Sequence, residues 1–403
     1  MADRKNKKTE YDEVTAMRMK TQKDMQRRRR INIGILLGAL GAAAVIISIA
    51  AFNMRGYSSY KNTDAEVIKT DEPGAVYMSY RDGYIRGSHS GAEYVDAGGK
   101  TVWNEAAAFS NPKIMVYGDK IFVADIGGNR VDVFDAGGNI GRVETPNSIY
   151  AASGTAGGRV AIMTQDNNAN YLGLYESNGE EVYEIKTSLG GDGYPLAFDV
   201  SSDGSILAEA YVKAEKKPVE TGIRFYDFSG SKINEGNKIA GEFNDPDGEL
   251  TGEICFFENA NAAAVSEGRV RFYSTEGKSI TLKSEYDIFE EYDGTVKRVL
   301  KSGDRLALIL SVTEADAPER LVVFGDNGRR LCDQELTESY DRYSLEGGNV
   351  IMTGSNRFAI YTTSGKEITR QTSDKPVSAI IGNGGGGKYF LVSNGNVQRI
   401  KLS

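Results

Sequence analysis

The residues that most often carry out chemistry in proteins are scarce in this sequence. It has two cysteines, Cys255 and Cys332, and a single histidine, His89. This scarcity excludes a disulfide-stapled scaffold and a zinc site of the usual Cys/His kind. With one histidine and no Gly-x-Ser-x-Gly sequence, neither a histidine-based triad nor a nucleophile elbow is predicted. Cys255 lies in an apolar run, which predicts a buried thiol, and His89 is expected at the surface or in a turn.

Two stretches resemble ligand-binding loops. Gly382–Gly387 is rich in glycine, but no Ser or Thr follows Lys388 and no helix is predicted there, which favours a strand connection over a phosphate loop. Asn244–Glu249 is acidic, but Phe243 and Ile254 stand where an EF-hand needs ligands, which favours a turn over a calcium site. A glycosidase pair cannot be chosen among so many turn acids. We therefore assign no catalytic, cofactor-binding or metal-binding residue and no cofactor.

Charge divides the chain sharply. Residues 1–30 hold 11 Lys/Arg and 5 Asp/Glu, whereas the whole protein has a net charge of −8. A basic head of net +6 therefore precedes a body of net −14. The acidic body argues against nucleic acid as a ligand, because phosphate binding depends on clustered Lys and Arg.

A membrane anchor is predicted next to the basic head. Ile31–Met54 is a run of 24 residues without one charge, long enough to cross a bilayer as a helix. Arg27–Arg30 precedes it, so the positive-inside rule places the N-terminus in the cytoplasm and the rest outside. The alternative, a cleavable signal peptide, would have a shorter hydrophobic region. We predict a cytoplasmic tail at 1–30, a transmembrane helix at 31–54, a linker at 55–64 and an extracytoplasmic domain at 65–403.

A repeat determines the expected fold of that domain. A hydrophobic or aromatic residue, three turn residues and a glycine recur seven times, with glycines spaced by 39, 41, 51, 47, 51 and 37 residues. This is the length of a four-stranded propeller blade with variable loops. Each copy predicts a hairpin between the two outer strands of its blade, with the glycine in the left-handed conformation. The copies are Val95–Gly99, Phe134–Gly138, Tyr175–Gly179, Tyr226–Gly230, Tyr273–Gly277, Phe324–Gly328 and Tyr361–Gly365.

The two ends of the domain predict the number of blades. The last segment supplies three strands, at Val377–Ile381, Lys388–Val392 and Asn396–Leu402, with no room for a fourth. Seven repeats and this incomplete copy predict eight blades, with Ala65–Thr70 supplying the missing outer strand. That exchange would tie the two ends of the domain together and remove an exposed sheet edge. Seven blades are the alternative, if Val76–Gly87 does not form the strands expected of it.

The basic tail, the single transmembrane segment and the [Tyr/Phe]-x-x-x-Gly blade motif together resemble a family of membrane-anchored propellers from anaerobic Gram-positive bacteria. The resemblance covers nearly the whole chain, including Val95–Asn104 and Tyr194–Ala210. It implies an eight-bladed, all-β propeller behind one N-terminal transmembrane helix. This family has no assigned function, so the resemblance implies no mechanism.

The blades also resemble the PQQ-like repeats of quinoprotein-type propellers. Such enzymes hold pyrroloquinoline quinone beside calcium, often with an adjacent pair of cysteines. No adjacent cysteine pair exists here, and Trp103 falls in a predicted outer strand, away from a stacking position for a cofactor. The resemblance therefore extends to the repeat and not to the cofactor.

These observations favour a non-catalytic binding platform for a protein or glycan at the cell envelope, held on the cell membrane. The alternative is an envelope enzyme, either a quinoprotein-like oxidoreductase or a glycan hydrolase, with its site in the propeller channel. A sensor is a third reading, although residues 1–30 resemble no signalling domain. The polar loop Tyr211–Thr221, with Lys213, Lys216, Lys217 and Pro218, is expected to be a solvated hairpin tip, and a contact surface is its alternative.

Overall fold

The computed structural model describes residues 56–63, 68–69, 72, 74–188, 191–217, 219–230, 238–276, 279–313 and 318–403. The predicted tail and transmembrane segment, together with Gly277 and Pro218, lie outside these ranges. Within the ranges, no helix is both long and apolar enough to cross a bilayer. The chain from Tyr57 to Ser403 forms one compact unit.

This unit contains eight antiparallel sheets, which we call blades 1 to 8. Blade 1 comprises β3 (Val76–Tyr80), β4 (Gly83–Ser88), β5 (Gly91–Val95) and β6 (Thr101–Ala106). Blade 2 comprises β7 (Pro112–Tyr117), β8 (Lys120–Asp125), β9 (Arg130–Asp135) and β10 (Gly138–Glu144). Blade 3 comprises β11 (Ile149–Gly154), β12 (Val160–Gln165), β13 (Ala169–Tyr175) and β14 (Glu181–Ser188). Blade 4 comprises β15 (Tyr194–Val200), β16 (Ile206–Lys213), β17 (Glu220–Asp227) and β18 (Ile239–Asp245).

The second half of the ring repeats this pattern. Blade 5 comprises β19 (Thr251–Phe256), β20 (Ala262–Ser266), β21 (Arg269–Ser274) and β22 (Thr281–Asp287), and helix α1 (Ile288–Tyr292) leads to the next blade. Blade 6 comprises β23 (Gly294–Ser302), β24 (Arg305–Val312), β25 (Glu319–Gly325) and β26 (Arg330–Leu336). Blade 7 comprises β27 (Arg342–Glu346), β28 (Asn349–Thr353), β29 (Arg357–Thr362) and β30 (Glu367–Thr372). Blade 8 comprises β31 (Ala379–Gly382), β32 (Lys388–Ser393) and β33 (Asn396–Leu402), completed by β1 (Tyr60–Asn62) and β2 (Ile68–Lys69).

The blades form a ring around a central channel. The first strands of neighbouring blades contact each other, as β3 and β7 or β15 and β19 do, so these are the inner strands. We call the end at which each inner strand begins the upper face. Because strands alternate in direction, this face carries the connections between blades and the loops between second and third strands. The lower face carries the remaining hairpins.

The prediction of eight blades is confirmed, and so is the role of the repeated motif. Each copy lies at the hairpin between the third and fourth strands of its blade. The six motif glycines within the described ranges all have positive φ, from +55° to +121°, where a side chain would be strained. Tyr175 is half-buried, whereas the other residues that open the motif are buried. These buried residues are Val95, Phe134, Tyr226, Tyr273, Phe324 and Tyr361.

Apolar packing joins each blade to the next. In the described residues, eight hydrophobic clusters lie one at each seam between neighbouring blades. At the seam of blades 1 and 2, Trp103 stacks on Phe134 with ring centroids 4.8 Å apart, and its indole N–H donates to the Asp135 carbonyl at 3.1 Å. Trp103 thus lies in the outer strand β6, as predicted, and packs at the seam between blades 1 and 2.

The ring closes through two short strands that pair with β33. β1 joins its lower end, where Tyr60 is opposite Leu402, and β2 joins its upper end, where Ile68 is opposite Val397. The closing strand was expected at Ala65–Thr70, and β2 lies there. β1 adds a second segment, within the stretch predicted to be a linker. Below it, Ser59 and Ser403 exchange backbone hydrogen bonds of 3.1 and 2.8 Å.

The closure predicts where an aromatic truncation lowers stability. Tyr60 packs at the seam of blades 7 and 8, with its ring 5.7 Å from that of Phe358. Tyr60→Ala should lower the free energy of unfolding by about 1–3 kcal/mol, because it removes an apolar anchor of the closing strand. Tyr150→Ala, at a tyrosine that is 56% exposed, is the matched control and should change stability little. Equal losses in denaturant unfolding of the two variants would contradict this account of closure.

The seam between blades 3 and 4 contains an unusual polar network. The Glu209 side chain is fully buried, and one of its oxygens accepts from the Tyr226 hydroxyl at 2.8 Å. Arg224 lies 4.0 Å from the same oxygen and donates to Glu242 at 2.8 Å. Tyr211 also donates to Glu242, at 3.0 Å. Burial raises the pKa of Glu209 to about 7, although Tyr226 and Arg224 favour its charged form.

Glu209 should therefore make stability depend on pH. Its pKa is higher in the folded chain than its ordinary value of 4.5, so its contribution is complete below about pH 4.5 and is lost as pH rises to about 7. Glu209→Gln keeps nearly the same side-chain shape but cannot carry the negative charge. We expect this variant to match the unmodified protein at pH 4.5 and to exceed it by about 3 kcal/mol at pH 8. Unfolding free energies across this range measure the difference, and a difference that is constant with pH would refute the prediction.

Candidate functional site

The cysteines and the histidine occupy structural positions. Cys255 and Cys332 are free thiols, 6% and 5% exposed, which confirms the buried position predicted for Cys255. Burial also raises the pKa of both thiols. His89 lies exposed in the loop between β4 and β5, as expected, and its Nδ1–H donates to the Phe109 carbonyl at 2.8 Å.

The acidic stretch from Asn244 to Glu249 forms a turn, as predicted. The Asp245 carboxylate accepts from the Asp247 backbone N–H at 2.8 Å and pairs with Arg271 at 2.6 Å. Asp247 pairs with Arg269 at 3.0 Å. Across the part of the chain that the structure describes, no group of three or more His, Cys, Asp or Glu side chains is arranged to hold a metal ion.

The glycine-rich stretch and the lysine-rich loop each connect two consecutive strands of one blade. Gly384–Gly387 connects β31 to β32 on the lower face, and its four glycines have φ between +63° and +81°. In the loop between β16 and β17, residues 214–217 are exposed, as expected of a solvated tip. Lys213, at the base of this loop, pairs with Glu220 at 2.7 Å.

Two cavities open on the upper face. One of about 670 Å³ lies where blades 8 and 1 meet, lined by residues that include Glu72, Tyr77 and Arg342. Another of about 380 Å³ lies between the inner strands of blades 1 and 2 and includes Lys113. Both adjoin the mouth of the central channel, which makes the upper face the candidate binding surface.

A chain of hydrogen bonds joins four inner strands near the lower end of the channel. The Tyr117 hydroxyl lies 3.0 Å from Ser153 Oγ, and Ser153 donates to one oxygen of Asp199. The other Asp199 oxygen accepts from the Phe256 backbone N–H at 2.7 Å. These residues belong to blades 2, 3, 4 and 5. Asp199 is buried, and its carboxylate accepts hydrogen bonds from donors of both neighbouring blades.

Two further residues extend this layer around the ring. Lys301, near the end of the inner strand of blade 6, places its ammonium 5.1 Å from the centre of the Tyr117 ring, on the opposite side of the ring of blades. Glu346 of blade 7 accepts from the Gly382 backbone N–H of blade 8 at 3.2 Å and from the Ser79 hydroxyl of blade 1. Burial raises the pKa of Glu346. We call Tyr117, Ser153, Asp199, Lys301 and Glu346 the channel floor.

Above the floor, two residues of opposite charge interact electrostatically across the channel. Lys113 and Glu253, near the start of the inner strands of blades 2 and 5, are both exposed. The pKa of Glu253 is raised, chiefly because protein surrounds it and also because Asp199 repels its charge, while Lys113 opposes the shift. The channel therefore holds two lysines, together with two carboxyl groups, Glu253 and Glu346, whose pKa is raised.

None of these channel residues was predicted from the sequence to form a site. Apolar alternation within an inner strand does not show which residues of eight strands, far apart in sequence, meet in the channel. A polar residue near the end of several inner strands was the available signal, as with Ser153 and Asp199. This signal can be interpreted only once the number of blades is known.

The ring of eight antiparallel sheets, seven with four strands and one with five, surrounds a polar channel and defines this chain as an eight-bladed β-propeller. Residues 53–402 match the family described as a family of unknown function (DUF5711), and the chain belongs to that family. A search of curated proteins gave no match.

Solved structures with a similar fold share little sequence with this chain. The C-terminal WD40 domain of Sif2 has a TM-score of 0.57 at 12% identity, covering 87% of this chain and all of that domain. The computationally designed Ika8 protein has 0.53 at 8% identity, covering 84% and 99%. KlAtg21, in complex with the coiled coil of AgAtg16, has 0.51 at 13% identity, covering 76% and 100%. At these identities the likeness concerns the fold alone.

Proposed function

We propose that this protein is a single-pass membrane protein whose extracytoplasmic propeller docks a partner protein of the cell envelope on its upper face. The WD40-like fold supports this, since WD40 domains are often interaction platforms. KlAtg21, a propeller of similar fold, is a precedent for binding a helical partner. The envelope of an anaerobic Gram-positive bacterium is the setting that the sequence resemblance implies.

The distribution of exposed apolar side chains carries the proposal. Of the described residues, nine large hydrophobic side chains are exposed, and five of them lie on the upper face. These five are Val76, Tyr150, Val219, Leu250 and Phe289. They come from blades 1, 3, 4 and 5 and from helix α1. Exposed apolar groups that share one face with cavities are typical of interaction surfaces.

The other four exposed hydrophobic residues share a different position. Each lies near the start of the outermost strand of its blade, on the rim next to the lower face. They are Val102, Ile140, Ile239 and Leu282. Because they are similar in exposure but separate in location, they offer a matched control for the upper face.

The membrane location rests on the sequence before the propeller. The 24 uncharged residues Ile31–Met54 follow Arg27–Arg30, so the tail is proposed to stay in the cytoplasm. Cysteine labelling of intact cells tests this, and buried Cys255 and Cys332 give a low background. Lys216→Cys, at an exposed loop residue, should react with a membrane-impermeant maleimide.

The same labelling distinguishes an uncleaved anchor from a signal peptide. Thr9→Cys should react only after the membrane is permeabilised, and the labelled protein should remain in the membrane fraction. A protected Lys216→Cys in intact cells would refute the extracytoplasmic location. Loss of the labelled N-terminus from the mature protein would refute the anchor.

Docking is tested by crosslinking in intact cells, followed by capture of the full-length protein and quantitative mass spectrometry. Replacing Tyr150, Leu250 and Phe289 together by Ser should reduce the captured partner at least tenfold, because these changes remove exposed apolar contacts and leave the core intact. The control variant replaces Val102, Ile140 and Leu282 by Ser and should keep the partner. Equal loss in both variants, or capture of an envelope glycan in place of a protein, would contradict the proposed docking.

A further inference from the structure

The cavity where blades 8 and 1 meet contains one charge of each sign. Its volume of about 670 Å³ lies within the usual range of small-molecule sites, roughly 300–1,000 Å³. Among the described residues that line it, only Arg342 and Glu72 are charged. The rest of the lining is mainly apolar or small and includes Val76, Ala379 and Val392. A ligand in this cavity therefore meets a cation, an anion and an apolar wall.

Arg342 is an arginine without a carboxylate partner. Four of the described strands begin at the upper face with an arginine. Three of these arginines form ion pairs, and they are Arg130, Arg269 and Arg357. Arg342, the first residue of β27, forms no ion pair within the described part of the chain, and its guanidinium donates to the Ser378 carbonyl. Since a guanidinium carries five N–H donors, most of them remain available to a ligand.

Glu72 is held as an anion on the same cavity. Its two oxygens accept from the Ser90 backbone N–H at 2.9 Å and from the Ser90 hydroxyl at 2.7 Å. The bond from the hydroxyl is the main reason that the pKa of Glu72 lies below its ordinary value of 4.5. A carboxylate has about four acceptor positions, so these two bonds leave room for further donors.

Neighbouring charges do not pair with either group. Arg86, whose charge also favours ionised Glu72, is itself paired with Glu93 at 2.7 Å. Asp341, next to Arg342 in the sequence, does not line the cavity. Among the described residues, then, the cavity presents two opposite charges that are paired neither with each other nor with a third residue.

We propose that this cavity binds a zwitterion, either a free α-amino acid or a short peptide with unblocked ends, whose carboxylate meets Arg342 and whose ammonium meets Glu72. Arginine presents paired N–H donors that match the two oxygens of a carboxylate. An ammonium in turn donates charge-assisted hydrogen bonds to a carboxylate. A ligand of one charge sign would be attracted by one group and repelled by the other, whereas a zwitterion suits both. The apolar wall favours an aliphatic side chain such as that of valine.

The inference goes beyond the proposed docking and does not rest on it. The docking variants change Tyr150, Leu250 and Phe289, whereas the zwitterion site depends on Arg342 and Glu72. Loss of a partner protein in the docking variants and loss of a zwitterion from the cavity are therefore separate results, and failure of one test leaves the other unaffected.

Isothermal titration calorimetry on the full-length protein in detergent tests the site, with valine and the dipeptide alanyl-valine as probes. Arg342→Met and Glu72→Gln should each weaken binding of the tighter probe about tenfold or more, the typical loss for a charge-assisted hydrogen bond. Arg342→Lys, which keeps the charge but not the paired donors, should bind with intermediate affinity. The matched controls are Lys375→Met and Asp374→Asn, at exposed upper-face residues that do not line the cavity, and both should bind as the unmodified protein does.

Blocked forms of the tighter probe show which end each residue binds. The N-acetylated form lacks the ammonium, so it should bind about tenfold more weakly, and Glu72→Gln should weaken it no further. The C-terminal amide lacks the carboxylate, and Arg342→Met should weaken it no further. A merely structural role of the two residues would weaken all forms alike. If Arg342→Met fails to fold, as judged by its unfolding temperature, Glu72→Gln and the blocked forms decide the question.

The two probes also distinguish the sources of the zwitterion. Tighter binding of valine assigns the site to a free amino acid, and tighter binding of alanyl-valine assigns it to a peptide. Equal affinity for a probe and both of its blocked forms would overturn the choice of a zwitterion. Binding that survives undiminished in both Arg342→Met and Glu72→Gln, or no binding of either probe to the folded protein, would overturn the site.

Discussion

The pairing of the two chain ends in blade 8 is the constraint on which the ring depends. Every other blade takes its four strands from one continuous segment, so its hydrogen bonding is complete without help from distant sequence. Blade 8 has three such strands, and β1 and β2 cover the outer edge of β33. An uncovered β33 would present unpaired backbone groups to solvent. Without the closing segment, the apolar packing of blade 8 against blade 7 would also lose Tyr57 and Tyr60. Closure therefore protects both the sheet edge and the channel that the ring surrounds.

The fold could be predicted well because its signal is local and repeated. A hairpin glycine such as Gly138 needs a positive φ whatever surrounds it, and the aromatic four residues earlier, Phe134, packs at a seam between blades. Seven copies with a consistent spacing then fix the blade count. The segment β1 was missed because three residues, Tyr60–Asn62, carry no periodicity, and only their pairing with β33 makes them a strand.

The candidate site could not be predicted, since it is made by residues that are far apart in sequence. Tyr117, Asp199 and Lys301 come from three blades, and no spacing rule links one inner strand to another. Asp199 looks like any acid near a turn until Ser153 and the Phe256 N–H are placed beside it. Local sequence thus specifies how each blade is built, whereas the ring specifies which side chains share the channel.

The course of the closing strand has a mechanical consequence. The chain enters the propeller at the lower face, where Tyr57 is bound to the backbone of blade 7 and Ser59 to Ser403. β1 and β2 then run along β33 toward the upper face, with hydrogen bonds perpendicular to their direction. Tension between the segment before Tyr57 and a load held on the upper face would pull these strands lengthwise, so the bonds would share the force in shear instead of opening one after another. The strand that completes the ring is thereby also a tether suited to carrying tension.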